Sequence, residues 1–332
     1  MAACPEETHA YVNVKLPSEW WLAPTIYSGG RMEAGAHLAA RLRDVSLSPE
    51  AYRRLAIAAA AILVAVVGTG ATVRLTGSGL GCEHWPGCTG TVSLPEKGYH
   101  SFIEFGNRIF AFFTVLLTLG AWLGTYPAGI TGRIRRLALA TFVATFLQAP
   151  LGAITVHYHL NPYLVLSHFL LSLLALTFGV VVAMEATVLV RGRADAAPAA
   201  VRAGAIVAAL ACAVLVVSGT LATAAGPHSG SVLVRRLWSF QPAVYWHVRA
   251  TAVFGITFAL LLAWLVRSGS RQVRLAFVVL GVLAVQMVIG EVQYRTKLPW
   301  WLVLVHVTNA AVLWAAMTAF VTALWRPARP VH

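Results

Sequence analysis

Long uninterrupted apolar stretches alternate with short polar segments along this chain. Eight apolar runs lie at about 54–74, 105–126, 135–155, 162–188, 202–224, 244–266, 272–292 and 300–324, each near the ~20 residues a helix needs to cross a bilayer. Several carry no Asp, Glu, Lys or Arg: Leu55 to Val73, Ile109 to Gly132, Ala203 to Val234 and Leu298 to Trp325. The charge-free stretch Leu137 to Met184 is too long for one span, and His157-Tyr158-His159-Leu160-Asn161-Pro162 breaks it into a helical hairpin. A membrane β-barrel needs short segments of alternating polarity, and these are absent. The pattern predicts an all-α polytopic membrane protein with eight transmembrane helices.

Composition agrees. Of the 332 residues, 58% are hydrophobic and 11% charged, against about 25% charged in soluble domains. A net charge of +13 raises nucleic-acid binding as a question. The basic residues, however, sit in short clusters between apolar runs, as the bias of Lys and Arg toward cytoplasmic loops requires. With the N-terminus inside, the inside segments hold most of them: Lys15, Arg31, Arg41, Arg43, Arg53, Arg54, Arg133, Arg135, Arg136, Arg191, Arg193, Arg202, Arg267, Arg271, Arg274, Arg326 and Arg329. Both termini are thus expected in the cytoplasm. Arg235 and Arg236 fall outside, which suggests a ligand charge to neutralise. Residues 1–50 are polar, with no apolar core after a basic start, and read as a weakly ordered cytoplasmic extension rather than a signal peptide. A misassigned start codon is an equal alternative.

An internal repeat organises the rest. Gln148, Gly152 and His168 recur 138 positions later as Gln286, Gly290 and His306, and Arg133 and Arg136 recur as Arg271 and Arg274. Val66-Val67-Gly68-Thr69 resembles Val216-Val217-Ser218-Gly219-Thr220, and the segment at Asn107-Arg108 corresponds to His247-Val248-Arg249. Four spans return a chain to the same side, so the expectation is two pseudo-symmetric four-helix bundles in one orientation, at 51–192 and 193–332. Such bundles build cofactor sites from side chains on facing helices.

His168, His247 and His306 each fall in the first turns of an even-numbered helix at the outer leaflet. An imidazole there is costly without a partner; water or a carbonyl is one solution, a metal another. His247 and His306 lie in one half, and two imidazoles facing across a bundle suit a six-coordinate haem iron. Zinc would want four ligands, usually with thiolates. In the first half Asn107 replaces the second histidine. A carboxamide is a poor ligand for haem iron, so that site has one strong axial ligand and one weak or open position. Glu104 lies on the same helix face as Asn107, where a carboxylate accepts protons or positions water, or forms an ion pair with Arg108. Arg74, Arg108 and Arg249 sit at outer helix ends, where they pair with haem propionates or simply snorkel. Cys82 and Cys88 lie in the first outer loop, Gly81-Cys82-Glu83-His84-Trp85-Pro86-Gly87-Cys88. A disulfide is expected on that oxidising side, either a staple or a redox-active pair. Cys4 and Cys212 read as unpaired thiols.

Taken together these motifs resemble the haem A synthases of the CtaA/Cox15 type. The matching pieces are Gly68-Thr69, Val73-Arg74-Leu75-Thr76-Gly77-Ser78-Gly79-Leu80-Gly81-Cys82, Trp85-Pro86, Cys88 and Ile103-Glu104-Phe105-Gly106-Asn107-Arg108. They continue with Gln148 to Gly152, Thr155-Val156, His168-Phe169, Gly219-Thr220, Gly226-Pro227-His228-Ser229-Gly230, His247 with Arg249, Gln286 and His306. The resemblance covers roughly residues 55–325. It implies a membrane enzyme that converts haem O to haem A for cytochrome oxidase, oxidising the C8 methyl group of the porphyrin to a formyl group by successive hydroxylations. It implies haem b as cofactor, with His247 and His306 as axial ligands. It also implies a first half that takes haem O as substrate, with His168 on the substrate iron, Glu104 as the catalytic acid and Cys82–Cys88 as the outer-loop disulfide. Asn107 departs from the family, which usually has histidine there. His228 lies in a family motif with no ligand role to carry over, and capping of a loop is expected of it. The implied partners are haem O, the haem O synthase that makes it, the lipid bilayer and a quinone or other electron acceptor, with no nucleic acid. A homo-oligomer is compatible with the sequence, and the implied location is the cell (plasma) membrane.

Three other functions are distinguishable. A di-haem electron-transfer protein of cytochrome b type would need histidine pairs in both halves, which Asn107 argues against. A transporter, suggested by the repeat, would show no haem absorbance. A prenyltransferase needs Asp-rich motifs for Mg²⁺-diphosphate, whereas the only aspartates are Asp44 and Asp195, both in predicted cytoplasmic segments.

Overall fold

In the computed structural model, residues 46–82, 87–88, 95, 98–192, 196–228, 238–270 and 272–325 are described. The N-terminal extension up to residue 45, with Cys4 and Asp44, lies outside them. So do His84, Trp85, Pro86, Asp195, Ser229, Gly230, Arg235, Arg236, Arg271 and His332. The helices and the site all belong to one compact unit, Leu47–His332.

Among the described residues the chain is helical, with no strand. The helices are α1 (Pro49–Leu75), α2 (Tyr99–Leu123), α3 (Gly132–Phe146), α4 (Gln148–His157), α5 (Pro162–Arg191), α6 (Ala199–Ala225), α7 (Phe240–Arg267), α8 (Val273–Arg295) and α9 (Trp300–Leu324). With α3 and α4 taken as one span, Gly132–His157, eight helical segments are long and apolar enough to cross a membrane. Large side chains such as Ile256, Leu260 and Val288 are exposed along them. That much open apolar surface has lipid, not water, as its solvent.

Local chemistry sets the ends. At the start of α1 the Ser48 hydroxyl accepts from the Ala51 N–H at 3.2 Å and proline occupies the first helical position. At the start of α5 the Asn161 side chain accepts from the Tyr163 N–H at 3.0 Å, again ahead of proline. The apolar run at 135–155, expected as one helix, is divided at Leu147. Pro150 has no N–H to give the Phe146 carbonyl, so the ladder is interrupted there. The matching helix α8 has no proline and runs unbroken.

The expected hairpin between α4 and α5 is present. His159 (φ 51°) and Leu160 (φ 59°) turn the chain in the left-handed region, and the Leu160 N–H donates to the Thr155 carbonyl at 2.8 Å. The same turn recurs 138 positions later. Lys297 (φ 63°) and Leu298 (φ 60°) turn between α8 and α9, with the Leu298 N–H donating to the Gln293 carbonyl at 2.7 Å. The sequence repeat is therefore also a repeat of backbone conformation at this corner. His228 bonds the Leu298 carbonyl through Nε2 at 2.9 Å, the loop-capping expected of it.

Helices α5 and α9 occupy the middle of the packing. The former lies against α1, α3, α4 and α9, and the latter against α1, α5, α6 and α8. Phe254, Phe258, Leu265, Leu283 and Phe320 centre one apolar cluster, and Leu63, Leu176 and Ala311 centre another. Phe169 and Trp314 pack on both. The Trp314 indole N–H donates to the Thr177 hydroxyl at 2.9 Å, tying α9 to α5. Near the opposite end from the histidines, the buried Glu185 carboxylate on α5 pairs with Arg133 of α3 at 3.0 Å. Cys212 is a buried free thiol, as expected.

Candidate functional site

The beginnings of α2, α5, α7 and α9 share one end of the bundle with the last turns of α1, α4, α6 and α8. A single cavity of ≈ 1740 Å³ opens there, larger than the ~300–1,000 Å³ of an ordinary ligand pocket. Its wall includes every residue singled out for chemistry outside the loop cysteines: Arg74, Glu104, Asn107, Arg108, His168, His247, Arg249 and His306.

His247 of α7 and His306 of α9 face each other with ring centres 6.3 Å apart and planes at 74°. Metal–imidazole bonds of about 2 Å on either side of a central ion put two ring centres roughly 6 Å apart, so the spacing fits one metal between them. The ring environments fit as well. The Ser218 hydroxyl donates to the Leu215 carbonyl at 2.8 Å and lies 3.1 Å from His247 Nδ1. Its one proton is committed, so Nδ1 of His247 carries the hydrogen and Nε2 keeps its lone pair, the state a metal ligand requires. The buried Nδ1 of His306 has no hydrogen-bond partner among the described residues. Two glycines make room for these rings. A Cβ at Gly219 would lie 2.9 Å from the His247 ring, and one at Gly290 3.1 Å from the His306 ring.

The first copy repeats part of this. His168 of α5 has a buried, unpartnered Nδ1, and Gly152 faces its ring as Gly290 faces that of His306. Asn107 of α2 is the residue that the sequence repeat aligns with His247. A hydroxyl of the preceding helix meets this residue too, but in the opposite sense: Thr69 Oγ1 donates to Asn107 Oδ1 at 2.7 Å, whereas the His247 ring donates to Ser218.

Glu104 lies one turn before Asn107 and is buried. One carboxylate oxygen accepts the Cys82 N–H at 2.9 Å, and the other pairs with the Arg108 guanidinium. Arg108 also donates to the Gly87 carbonyl. The ion pair and the cavity position are therefore both real, and one does not replace the other. Cys82 and Cys88 form the expected disulfide. The three arginines differ. Arg108 is engaged by Glu104, the Arg249 guanidinium lies 3.3 Å over the Tyr245 ring, and Arg74 has a buried Nε without a partner. Arg74 is thus the best placed of the three to meet an anion inside the cavity.

In the sequence Ser218 and Thr69 stand only inside the repeat and a family motif, without a role, and there is no sign of Asn309. Asn309 donates to the Gln286 carboxamide oxygen at 2.7 Å, and the Gln286 amide donates to the His306 carbonyl at 3.0 Å. Their hydrogen bonds to His247, Asn107 and Gln286 identify these three residues.

The model of the cytochrome oxidase assembly protein family COX15-CtaA matches residues 53–318. A haem A synthase of Symbiobacterium thermophilum is 36% identical over 137 residues, 40% of this chain and 44% of that protein. The haem A synthase of Bacillus pumilus is 32% identical over 130 residues, covering 38% and 41%. That of Bacillus licheniformis is 34% identical over 119 residues, covering 35% and 38%. The chain thus spans less than half the length of each of these curated relatives, whereas the family model extends across all eight membrane-crossing segments. This multi-pass membrane chain belongs to the COX15-CtaA family of cytochrome oxidase assembly proteins.

Proposed function

We propose that this protein is a haem A synthase, which oxidises the C8 methyl group of haem O to a formyl group by successive hydroxylations and passes the electrons to a quinone or another acceptor. The observation that carries the reading is the His247–His306 pair, with ring centres 6.3 Å apart in the wall of the cavity that also holds His168 and Glu104. Family membership and the names of the relatives support it.

In this reading, 193–332 is the half that holds haem b, through His247 and His306. Haem b supplies one-electron transfer when bound. The half at 51–192 takes haem O, with His168 as the ligand to the substrate iron. Asn107 leaves the opposite side without a strong ligand, which suits chemistry rather than pure electron transfer and weighs against the di-haem carrier. Glu104 stays fixed by Cys82 and Arg108 and takes up protons, or positions water, near the reacting methyl group. Arg74 receives a propionate, with Arg249 and Arg108 in supporting positions. The distribution of Lys and Arg supports both termini in the cytoplasm, and the family resemblance points to the plasma membrane. Residues 1–50 form a cytoplasmic extension.

The test is the pyridine haemochrome spectrum and the extracted-haem chromatogram of the purified protein, followed by turnover of added haem O. Haem b together with haem O or haem A, and formation of haem A on turnover, is the expected result. Haem b alone with no turnover of haem O would leave an electron carrier. Absence of any haem after loading would overturn the reading of the histidines.

A further inference from the structure

The two copies of the repeat treat the same glutamine differently. In both, the amide nitrogen is committed to the backbone of the histidine helix: Gln148 Nε2 donates to the His168 carbonyl at 3.3 Å, and Gln286 Nε2 to the His306 carbonyl at 3.0 Å. A carbonyl can only accept, so these contacts fix which end of each carboxamide is nitrogen and which is oxygen. In the second copy the oxygen is satisfied, because Asn309 donates to Gln286 Oε1 at 2.7 Å. In the first copy the residue at the matching position is Leu171, which has nothing to donate.

Ser172, the nearest alternative, does not help. Its hydroxyl proton goes to the His168 carbonyl at 3.0 Å, and its oxygen accepts a second bond from Gln148 Nε2 at 2.9 Å. Gln148 Oε1 is therefore buried with no partner, on a side chain that lines the cavity. A buried acceptor without a donor is unfavourable, and it discriminates strongly for a ligand that brings one. The site has two donors of its own on Nε2 and needs one from outside on Oε1.

We propose that Gln148 Oε1 accepts a hydrogen bond from a hydroxyl group of the bound porphyrin, namely the hydroxymethyl group made by the first hydroxylation. The inference rests on the haem O oxidation proposed above. Haem O presents only a methyl group at the reacting carbon, whereas the alcohol presents an O–H. The acceptor then retains the alcohol in the site until the second oxidation, and the second copy, which holds a cofactor and no alcohol, closes the same oxygen with Asn309. Gln148 thus acts as a specificity residue for the half-oxidised substrate.

The experiment compares binding of two matched porphyrins to the purified full chain loaded with haem b. One is haem O. The other is haem A whose formyl group has been reduced to hydroxymethyl with borohydride. They differ only at the reacting substituent. By absorbance titration, wild type is expected to bind the alcohol about tenfold more tightly than haem O, the discrimination one satisfied acceptor gives. Gln148→Met is expected to lose the preference and release alcohol during turnover, although it also removes the bonds of Gln148 to His168 and Ser172. Leu171→Asn leaves Gln148 intact but supplies the donor that Asn309 supplies in the second copy, and it too is expected to erase the preference. An intact haem b spectrum in each variant shows that the fold has survived. Equal binding of both porphyrins by wild type, or a preference that persists in both variants, overturns the role of Gln148. Failure of wild type to bind either porphyrin overturns the haem O reading itself.

Discussion

The carboxylate of Glu104 accepts the backbone N–H of Cys82 at 2.9 Å, so the acidic group in the cavity wall hangs from a residue of the loop disulfide. Arg108, bonded to the other Glu104 oxygen, reaches the Gly87 carbonyl beside Cys88. Two residues of α2 and two of the loop thus form one closed set of polar contacts. The loop closed by the disulfide therefore holds Glu104 and Arg108 in place.

That arrangement separates binding from chemistry. Glu104→Ala removes the carboxylate without touching a histidine, so the variant is expected to load haem O yet form haem A about 10²–10⁴-fold more slowly, the range for loss of a general base. The chromatogram of extracted haem reads both quantities. Normal rates of haem A formation in this variant would remove Glu104 from the mechanism.

His168 and the pair His247–His306 are expected to fail independently. His168→Ala abolishes haem A formation while the haem b spectrum remains, because its ring does not take part in the second pair. His306→Ala loses the low-spin spectrum. Retained haem A formation in the His168 variant sinks the assignment of that residue to the substrate.

Gly219 tests the same site without changing a ligand. A Cβ there would stand 2.9 Å from the His247 ring, closer than side chains tolerate, and its neighbours are ring atoms that cannot move aside without leaving their place opposite His306. Gly219→Val is therefore expected to lower the haem b content of the purified protein several-fold. The check is the ratio of haem absorbance to protein, and full occupancy would show that the ring has room to shift.

Much of the fold is legible in the chain because membrane helices announce themselves by length and polarity. All eight apolar runs have a helix, and the hairpin at His157–Pro162 forms where the charge-free stretch is too long for one span. His168 and His306 are visible because they recur at one spacing, His247 because it shares a half with His306, and the cysteine pair because of its place in a loop. The break at Leu147 is carried by Pro150, a helix breaker visible in the sequence that apolar length alone does not register. The contacts of Gln148 and Gln286 are hidden for a different reason. The motif is the same in both copies, and what differs is whether residue 171 or 309 can donate, a matter of which side chains face each other across two helices.

Asn107 offers the sharpest comparison between the copies. It is the residue the repeat aligns with His247, and it too has a hydroxyl of the preceding helix beside it, Thr69 as a donor where Ser218 accepts from the His247 ring. The surroundings already suit a polar ring whose inner nitrogen meets a hydroxyl, so Asn107→His is expected to fold and to place a second imidazole opposite His168. Two imidazoles give a strong ligand field, and the substrate haem should change from a spectrum with one strong axial ligand to a low-spin spectrum like that of haem b. If the open position matters for oxidation, the rate of haem A formation falls as the low-spin fraction rises, since the new ligand competes for the site. An unchanged spectrum would mean that residue 107 does not face the substrate iron. A low-spin spectrum with undiminished turnover would mean that it does, but that the reaction has no use for the open position.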